Sequence, residues 1–322
     1  MKIRKYKLGD EKQIVKLDRM VEEHPWNRRN LKNWLWKYKK KNPSGKSLVW
    51  VVEENKKVIG TFSILPMYHK VGNKIIKGSN SIAMIIHPKW QNKGLIKFLA
   101  DKLFLDALKN KIKFVYGYPN MNSYELHKRI FGYNDISYQK LYYKKIQTKK
   151  KYLSNFQIKN VIKFDKSFDK LWIKASKQYE TLNIRKSNFL NWRYLKRPDH
   201  KYFCFKFVKN NILCGYIVLK IYQFKKIKTG HFIDIFLNQK EKNLFEDVIN
   251  FGYDFFKDKK CNDISLWMQG SKKFQRKLLR MNFKIQSSRP FICKIFSKNR
   301  YLEKKLNEKQ WYFNMGDSLE VY

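Results

Sequence analysis

The chain reads as an α+β protein with mixed, mostly antiparallel sheets flanked by helices. Three observations predict this. Apolar runs separated by short polar turns mark antiparallel hairpins between residues 48 and 77. A strand–loop–helix stretch, Ser81–Leu108, then introduces a β-α-β crossover, so the sheet is mixed rather than doubly wound. The element order of the first 145 residues also recurs in the second half, without a close sequence repeat. With 322 residues to divide, two tandem units are expected.

The elements follow from local pattern. Lys2–Lys7 is a short basic strand, and Leu8-Gly9-Asp10 turns it. Asp10 is placed to cap a helix whose apolar positions Ile14, Val15, Leu17 and Val21 run towards Glu23-His24-Pro25. Asn30–Lys40 is a second helix with Leu31, Trp34, Leu35 and Tyr38 on one face and Trp36 elsewhere. After the turn Asn42-Pro43-Ser44-Gly45, Leu48–Glu53 and Val58–Leu65 form one hairpin. Met67–Val71 and Lys74–Lys77 form another around Gly72-Asn73.

Within Ser81–Leu108, Ile82–Ile86 is an apolar strand that ends at His87-Pro88, because proline has no N–H for a ladder. Gln91-Asn92-Lys93-Gly94 leads into a helix with Ile96, Leu99, Ala100, Leu103 and Ala107 on one face. Orphan N–H groups at such a helix start can hold a phosphate, and Gly94 lets the backbone approach it. A plain structural loop is the alternative. Lys113–Tyr118 is a strand, Ser123–Ile130 a helix leaving through Phe131-Gly132-Tyr133, and Ser137–Lys145 a strand.

Gln147–Asn160 is polar and Lys-rich and reads as a linker. The expected division is therefore 1–146, a linker 147–160, a second unit 161–300, and a tail 301–322 whose aromatic end is placed to dock back. The second unit runs helix Phe168–Tyr179, an aromatic stretch Asn188–Tyr194, strands Tyr202–Lys209, Ile212–Tyr222 and His231–Leu237, helix Leu244–Phe256, strand Asp263–Met268, helix Lys272–Met281 and strand Pro290–Phe296.

Composition narrows the function. Hydrophobic residues make up 43%, enough for real cores. The net charge of +45 is mostly lysine spread along the whole chain. A dedicated nucleic-acid face clusters its charge and uses arginine, so no specific nucleic acid is favoured. The charge still favours a polyanionic cofactor, and peripheral contact with an anionic membrane stays open. Cys204, Cys214, Cys261 and Cys293 lie in or beside apolar runs and read as free buried thiols in a reducing compartment. No His/Cys spacing suits a metal. The N-terminal MKIRKYKLGD has no apolar signal core and no run has the length of a membrane span, so a cytoplasmic protein is expected. Nothing in these patterns fixes an oligomeric state.

Gln91-Asn92-Lys93-Gly94-Leu95-Ile96 resembles the acetyl-CoA loop, Q/R-x-x-G-x-G/A, of the GNAT (GCN5-related) N-acetyltransferase superfamily. Its first four positions fit, and Ile96 stands where the family has a small residue. His87-Pro88 matches the usual strand end, and Asn120 with Phe131-Gly132-Tyr133 resembles the segment N…(Y)…G-F. The whole chain is similar to two-domain GNAT proteins of polysaccharide-associated type. Trp34–Tyr38, Gly117–Asn120, Trp192–Tyr194 and Trp311 with Gly316-Asp317-Ser318 carry that similarity. The resemblance implies two tandem GNAT-like acyl-CoA N-acyltransferase domains, the first binding acetyl-CoA. The second has Asn238-Gln239-Lys240-Glu241 and no glycine at the corresponding loop, and is expected to be a degenerate copy that shapes the acceptor cleft. The implied reaction moves an acetyl group from acetyl-CoA to a small amine, with an amino-sugar among the preferred acceptors. The implied cofactor contacts are the strand residues Met84, Ile85 and Ile86, the loop residues Gln91, Asn92, Lys93, Gly94, Leu95 and Ile96, and Asn120.

Such a transfer needs a base for the amine and an acid for the leaving thiolate. In the family the acid is often a tyrosine on the helix after the loop unit. That position falls near His127, with one extra residue before Gly132, and Tyr124 lies about a turn earlier on nearly the same face. Both are catalytic candidates, with a core or surface role as the alternative. Ser81–Ile86 holds no carboxylate, Glu53 and Glu54 end a hairpin strand, and Asp234 either faces the cleft or is buried with a structural partner. Trp34, Trp36, Tyr38, Trp192 and Tyr194 either wall a sugar pocket or belong to the core. Two other functions compete. A Fem-type tRNA-dependent aminoacyltransferase is favoured by the charge and opposed by the glycine loop. A non-catalytic, polyanion-binding GNAT scaffold is favoured by Ile96 and the missing base.

Overall fold

A computed structural model describes residues 1–21, 30–40, 42–147, 152–198, 200–306 and 311–319. The expected helix end at Glu23-His24-Pro25 and the last three residues of the tail lie outside the described residues. The first half runs β1 (Lys2–Lys5), α1 (Asp10–Val21), α2 (Leu31–Tyr38), β2 (Leu48–Glu54), β3 (Lys57–Val71), β4 (Lys74–Ile86), α3 (Leu95–Lys109), β5 (Phe114–Gly117), α4 (Met121–Arg129) and β6 (Asn134–Lys145). The second runs β7 (Gln157–Asn160), α5 (Lys166–Ala175), β8 (Thr181–Asn183), α6 (Ser187–Leu190), β9 (Phe203–Lys209), β10 (Ile212–Phe224), β11 (Ile227–Leu237), α7 (Leu244–Asp258), β12 (Asp263–Trp267), α8 (Lys272–Arg280), β13 (Lys284–Ile295), α9 (Arg300–Lys305) and β14 (Trp311–Tyr312).

The strands form one mixed sheet in the order β1-β2-β3-β4-β5-β13-β6-β12-β11-β10-β9-β7, with β8 and β14 off this path. The order is symmetric about its middle, so the two halves are related by a pseudo-twofold. The last strands are exchanged across it. β13, from the second half, pairs with β5 of the first, while β6 of the first half pairs with β12 of the second. The exchanged strands also pair with each other, antiparallel, through Arg289↔Gln139 and Phe291↔Ser137. Nothing in either strand's own pattern names its partner.

Three local expectations need correction. The two strands expected on either side of Pro66, Val58–Leu65 and Met67–Val71, are one strand, β3, which forms one hairpin with β2 and pairs with β4 from Gly60↔Ile86 to Val71↔Lys74 in the other. Pro66 fits because β2 pairs with β3 no further than Ile64, so its missing N–H leaves no ladder bond unmade. Asp10 does not cap α1. It is the first helical residue, and its carboxylate accepts Arg4 Nη1 at 2.6 Å and the Lys7 N–H at 2.8 Å. Residues 157–160 of the expected linker form edge strand β7, antiparallel to β9.

The helices cover both faces. α3 buries Leu95, Leu99, Ala100, Leu103 and Ala107 against Val52, Phe62, Ile64 and Val115. At roughly 1.5–3 kcal/mol per large aliphatic side chain, this face ties the helix to the sheet. Trp34, Trp36, Tyr38, Trp192 and Tyr194 are all buried in the larger core, and Trp36 stacks on Trp192 at 4.6 Å. They are core residues rather than pocket walls. All four cysteines are buried and free. Among the described residues no helix is long and apolar enough to cross a membrane, and no His/Cys/Asp/Glu group could hold a metal ion.

The tail docks as expected. β14 lies parallel to β8, and Trp311–Leu319 is buried throughout. Asp317 pairs with Arg185 at 2.6 Å, and Arg185 also reaches Asp234 at 3.1 Å. The Tyr194 and Tyr216 hydroxyls donate to Asp234 at 2.9 and 3.0 Å. Asp234 is therefore the centre of a buried structural network.

Candidate active site

β4 and β5 run parallel but pair at only two positions, Ser79↔Val115 and Asn80↔Tyr116. Beyond them β4 continues beside β3 to Ile86, while Gly117 stays with β13. A wedge therefore opens between Ser81–Ile86 and the chain after Gly117. At its apex a Cβ on Gly117 would lie 3.5 Å from the Ser81 Cβ, ordinary van der Waals contact.

The β4 side of the wedge is bulged. Its register with β3 slips between Thr61↔Ile85 and Ser63↔Ile82, and Ala83 sits at φ +49°. A bulge re-aims the backbone groups that follow it. Ser63 Oγ donates to the Ile82 carbonyl at 2.9 Å and lies 2.8 Å from the Tyr38 hydroxyl, which fixes the bulge from behind. Ser63 carries no motif and would not be singled out from sequence, and Tyr38, expected as a pocket wall or a core residue, braces the bulge instead.

The loop follows directly. Pro88–Trp90 makes one tight turn, and Gln91 Nε2 donates back to the Ile86 carbonyl at 3.1 Å. Gln91, Asn92, Lys93 and Gly94 are all exposed. Asn92 and Gly94 take φ +61° and +70°, and Gly94 starts α3. No side chain caps this helix end, its first turn holds no acid, and nothing lies within 4 Å of where a Gly94 Cβ would be. Uncapped N–H groups, the positive end of a helix and free space suit a phosphate. Leu95 is buried, and the half-buried Ile96 packs against the same core, so its bulk leans on the helix face. Lys93 Nζ stands 4.6 Å over the Trp90 ring.

The second half has the same wedge, filled from within. β11 and β12 pair as far as Phe232↔Leu266, and β11 runs on to Leu237. Tail residues occupy that opening. The Tyr312 hydroxyl donates to the Ile235 carbonyl at 2.5 Å, and Asn314 Nδ2 reaches Asp234 at 3.3 Å. Asn243 starts α7 at φ +60°, copying Gly94. Glu246 and Asp247, however, sit in that first turn. Asp247 accepts the Tyr152 hydroxyl, Ser154 Oγ at 3.0 Å and the Asn155 N–H at 3.1 Å. The helix dipole there is already met by acids, which opposes an anion.

The sequence of the half with the open wedge agrees with this geometry. Residues 2–135 match the family model of the acetyltransferase (GNAT) domain. That stretch is similar to a GNAT domain. No curated protein matches it in sequence. Solved structures resemble it over both halves. A GCN5-related N-acetyltransferase from Anabaena variabilis superposes with TM-score 0.72 at 14% identity, covering 92% of this chain and 73% of that one. A probable N-acyltransferase from Enterococcus faecalis gives 0.69 at 13%, covering 94% and 74%. The N-myristoyltransferase of Saccharomyces cerevisiae with bound myristoyl-CoA gives 0.67 at 10%, covering 92% and 83%. At these identities the likeness is one of fold, and the fold is that of tandem GNAT units.

The remaining expected residues of the GNAT site follow β5. Asn120 caps α4, its Oδ1 accepting the Ser123 N–H at 2.9 Å. His127 is buried against Phe131 and Tyr133, with Nδ1 2.7 Å from the Ser123 carbonyl. Burial pulls its pKa down, so the ring is neutral at pH 7. The Tyr124 hydroxyl donates to Asp135 Oδ1 at 2.7 Å. That carboxylate pushes the phenol up to about 12, so it keeps its proton. At neutral pH Tyr124 is thus a protonated phenol and His127 an uncharged imidazole. The structure thus brings Met84–Ile86 and Gln91–Ile96 together on one side of the wedge, with Asn120, Tyr124 and His127 on the helix that follows its other side.

Proposed function

We propose that the protein is an acetyl-CoA-dependent N-acetyltransferase acting on a small amine, with amino-sugars as the preferred acceptor class. The observation that carries this reading is the exposed, uncapped start of α3 at Gly94, next to the wedge where β4 and β5 part. In it, residues 1–146 hold the donor and residues 161–300 shape the acceptor side. The fold likeness to proteins described as GCN5-related N-acetyltransferases, and to a yeast enzyme with bound myristoyl-CoA, supports an acyl-CoA donor.

The chemistry assigned is modest. The Gln91–Ile96 loop holds the pyrophosphate, and the backbone of Met84, Ile85 and Ile86 aligns the pantetheine arm. Alignment of the amine and thioester supplies most of the rate. The neutral amine nitrogen attacks the thioester carbon, the C–S bond breaks, and the thiolate takes a proton from the α4 group, Tyr124 or His127, while the proton shed by the nitrogen passes to water, from which the α4 group is reprotonated. Tyr124, kept protonated by Asp135, fits that role better than a buried neutral His127. The free buried thiols support a cytoplasmic setting. Calorimetric titration with acetyl-CoA tests the reading. One site per chain at sub-millimolar affinity is expected, and the absence of heat in that range would overturn it.

A further inference from the structure

Three polar side chains at the centre of the sheet have no role in the donor site. Tyr118 follows β5 directly, on the edge of the wedge. Its ring stacks on Phe291 at 5.1 Å and meets Trp267 at 5.4 Å and Phe313 at 5.6 Å. The β13–β6 register sets Ser137 opposite Phe291, on the same face, and Gln139 two residues further along that face. Gln139 lies past Leu141, the last β6 residue paired with β12. Gln139 is 1% exposed and Ser137 7%. The Tyr118 hydroxyl, Ser137 Oγ and both ends of the Gln139 amide are buried with no hydrogen-bond partner among the described residues.

Buried hydroxyls and amides normally find partners, because an unmade hydrogen bond forfeits the whole desolvation cost of the group. Three adjacent exceptions, beside the wedge and between the two halves, mark a place that a ligand completes. We propose that Tyr118, Ser137 and Gln139 bind the hydroxyl groups of the acceptor, which is a neutral-bodied, polyhydroxylated amine. This deepens the proposed function and rests on it.

The chemistry of the surroundings selects that class. The orphan groups offer neutral donors and acceptors, which match hydroxyls. The buried Arg185 guanidinium is already shared by two carboxylates, Asp317 and Asp234, and so leaves nothing for a ligand carboxylate or phosphate. Arg289, opposite Gln139, is exposed and keeps its charge in solvent. Tyr118 is otherwise surrounded by the apolar rings of Trp267, Phe291 and Phe313, which add no charge.

Thermal shift with glucosamine, against cyclohexylamine as the amine without hydroxyls, tests this on the full chain without any donor. Glucosamine is expected to raise the melting temperature and cyclohexylamine is not. Gln139→Leu is expected to melt higher than the native protein when unliganded, because it removes an unpaired buried amide, and to bind glucosamine about tenfold or more weakly. Ser137→Ala is expected to weaken glucosamine in the same direction. Calorimetric affinity for acetyl-CoA is expected to be unchanged in both variants. Equal shifts from the two amines, no shift from glucosamine, or an undiminished shift in both variants would each overturn the proposal. A glucosamine shift without acetyl-CoA binding would remove the donor reading and keep the acceptor site.

Discussion

Arg185 and Asp317 form a 2.6 Å ion pair in which both side chains are almost wholly buried, and 132 residues of chain separate them. With Asp234 on the other side of the guanidinium, the pair joins the tail to the middle of the second unit. Desolvation makes such a pair a weak net stabiliser, yet removing one partner strands the other. Arg185→Met is therefore expected to cost about 3–5 kcal/mol of unfolding free energy, read by urea denaturation at pH 7. A loss under about 1 kcal/mol would mean that the tail is held by its aromatic packing alone.

His69 is fully buried, with Phe114, Tyr116 and Trp311 around it, and burial lowers its pKa to about 3. The folded ring stays neutral while the unfolded ring takes a proton below about 6.5. Stability from this group is thus complete above that value and falls as pH drops towards 3, by about 1.4 kcal/mol per unit. Between pH 7 and 5 the native protein should lose about 2 kcal/mol through His69 alone. His69→Phe should flatten that slope relative to native in denaturation series at the two pH values, and an unchanged slope would contradict the assignment.

Gly94 and its counterpart Asn243 share one backbone conformation and differ in what surrounds them. Gly94→Ala should cost about 1 kcal/mol in stability, the strain of a left-handed residue. It should also raise the acetyl-CoA dissociation constant about tenfold or more, since the new Cβ projects into the phosphate space. Asn243→Gly should leave that constant unchanged. Calorimetry on both variants checks the contrast, and equal effects would disconnect the α3 start from the donor.

The exchange of β6 and β13 predicts that neither half folds alone. A chain ending at residue 146 leaves β5 without β13 and β6 without β12. It should show little native circular dichroism and should aggregate through these bare edges. Mixed during refolding with the remainder of the protein, it should recover a complex of native size on gel filtration. A soluble, cooperatively folded fragment would argue against the exchanged pairing.

The strand–loop–helix stretch Ser81–Leu108 was legible because its sequence is locally decisive. Pro88 ends a strand, Gly94 takes a left-handed turn, and the α3 repeat fixes a buried face. The hairpins were legible too, except at Pro66, where the residue that breaks a central strand sits at the limit of β2 and is tolerated. What stayed hidden is non-local. Asn243 copies the Gly94 conformation without a glycine, because asparagine tolerates that region, so the loop match in the second unit cannot be seen from residue type. The filling of its wedge by Tyr312 and Asn314 depends on residues some eighty positions away in sequence. Gln139 reads as an ordinary polar residue on a half-exposed strand until its neighbours are known.

Strand exchange also sets an order of events during synthesis. β5 acquires its outer neighbour only when residues 284–295 have left the ribosome, long after the loop and α3 that precede it are made. Until then the growing chain exposes the bare edge of β5, the kind of edge on which nascent chains mispair and chaperones act. The wall that β5 gives the wedge is therefore secured only after residues 284–295 are made.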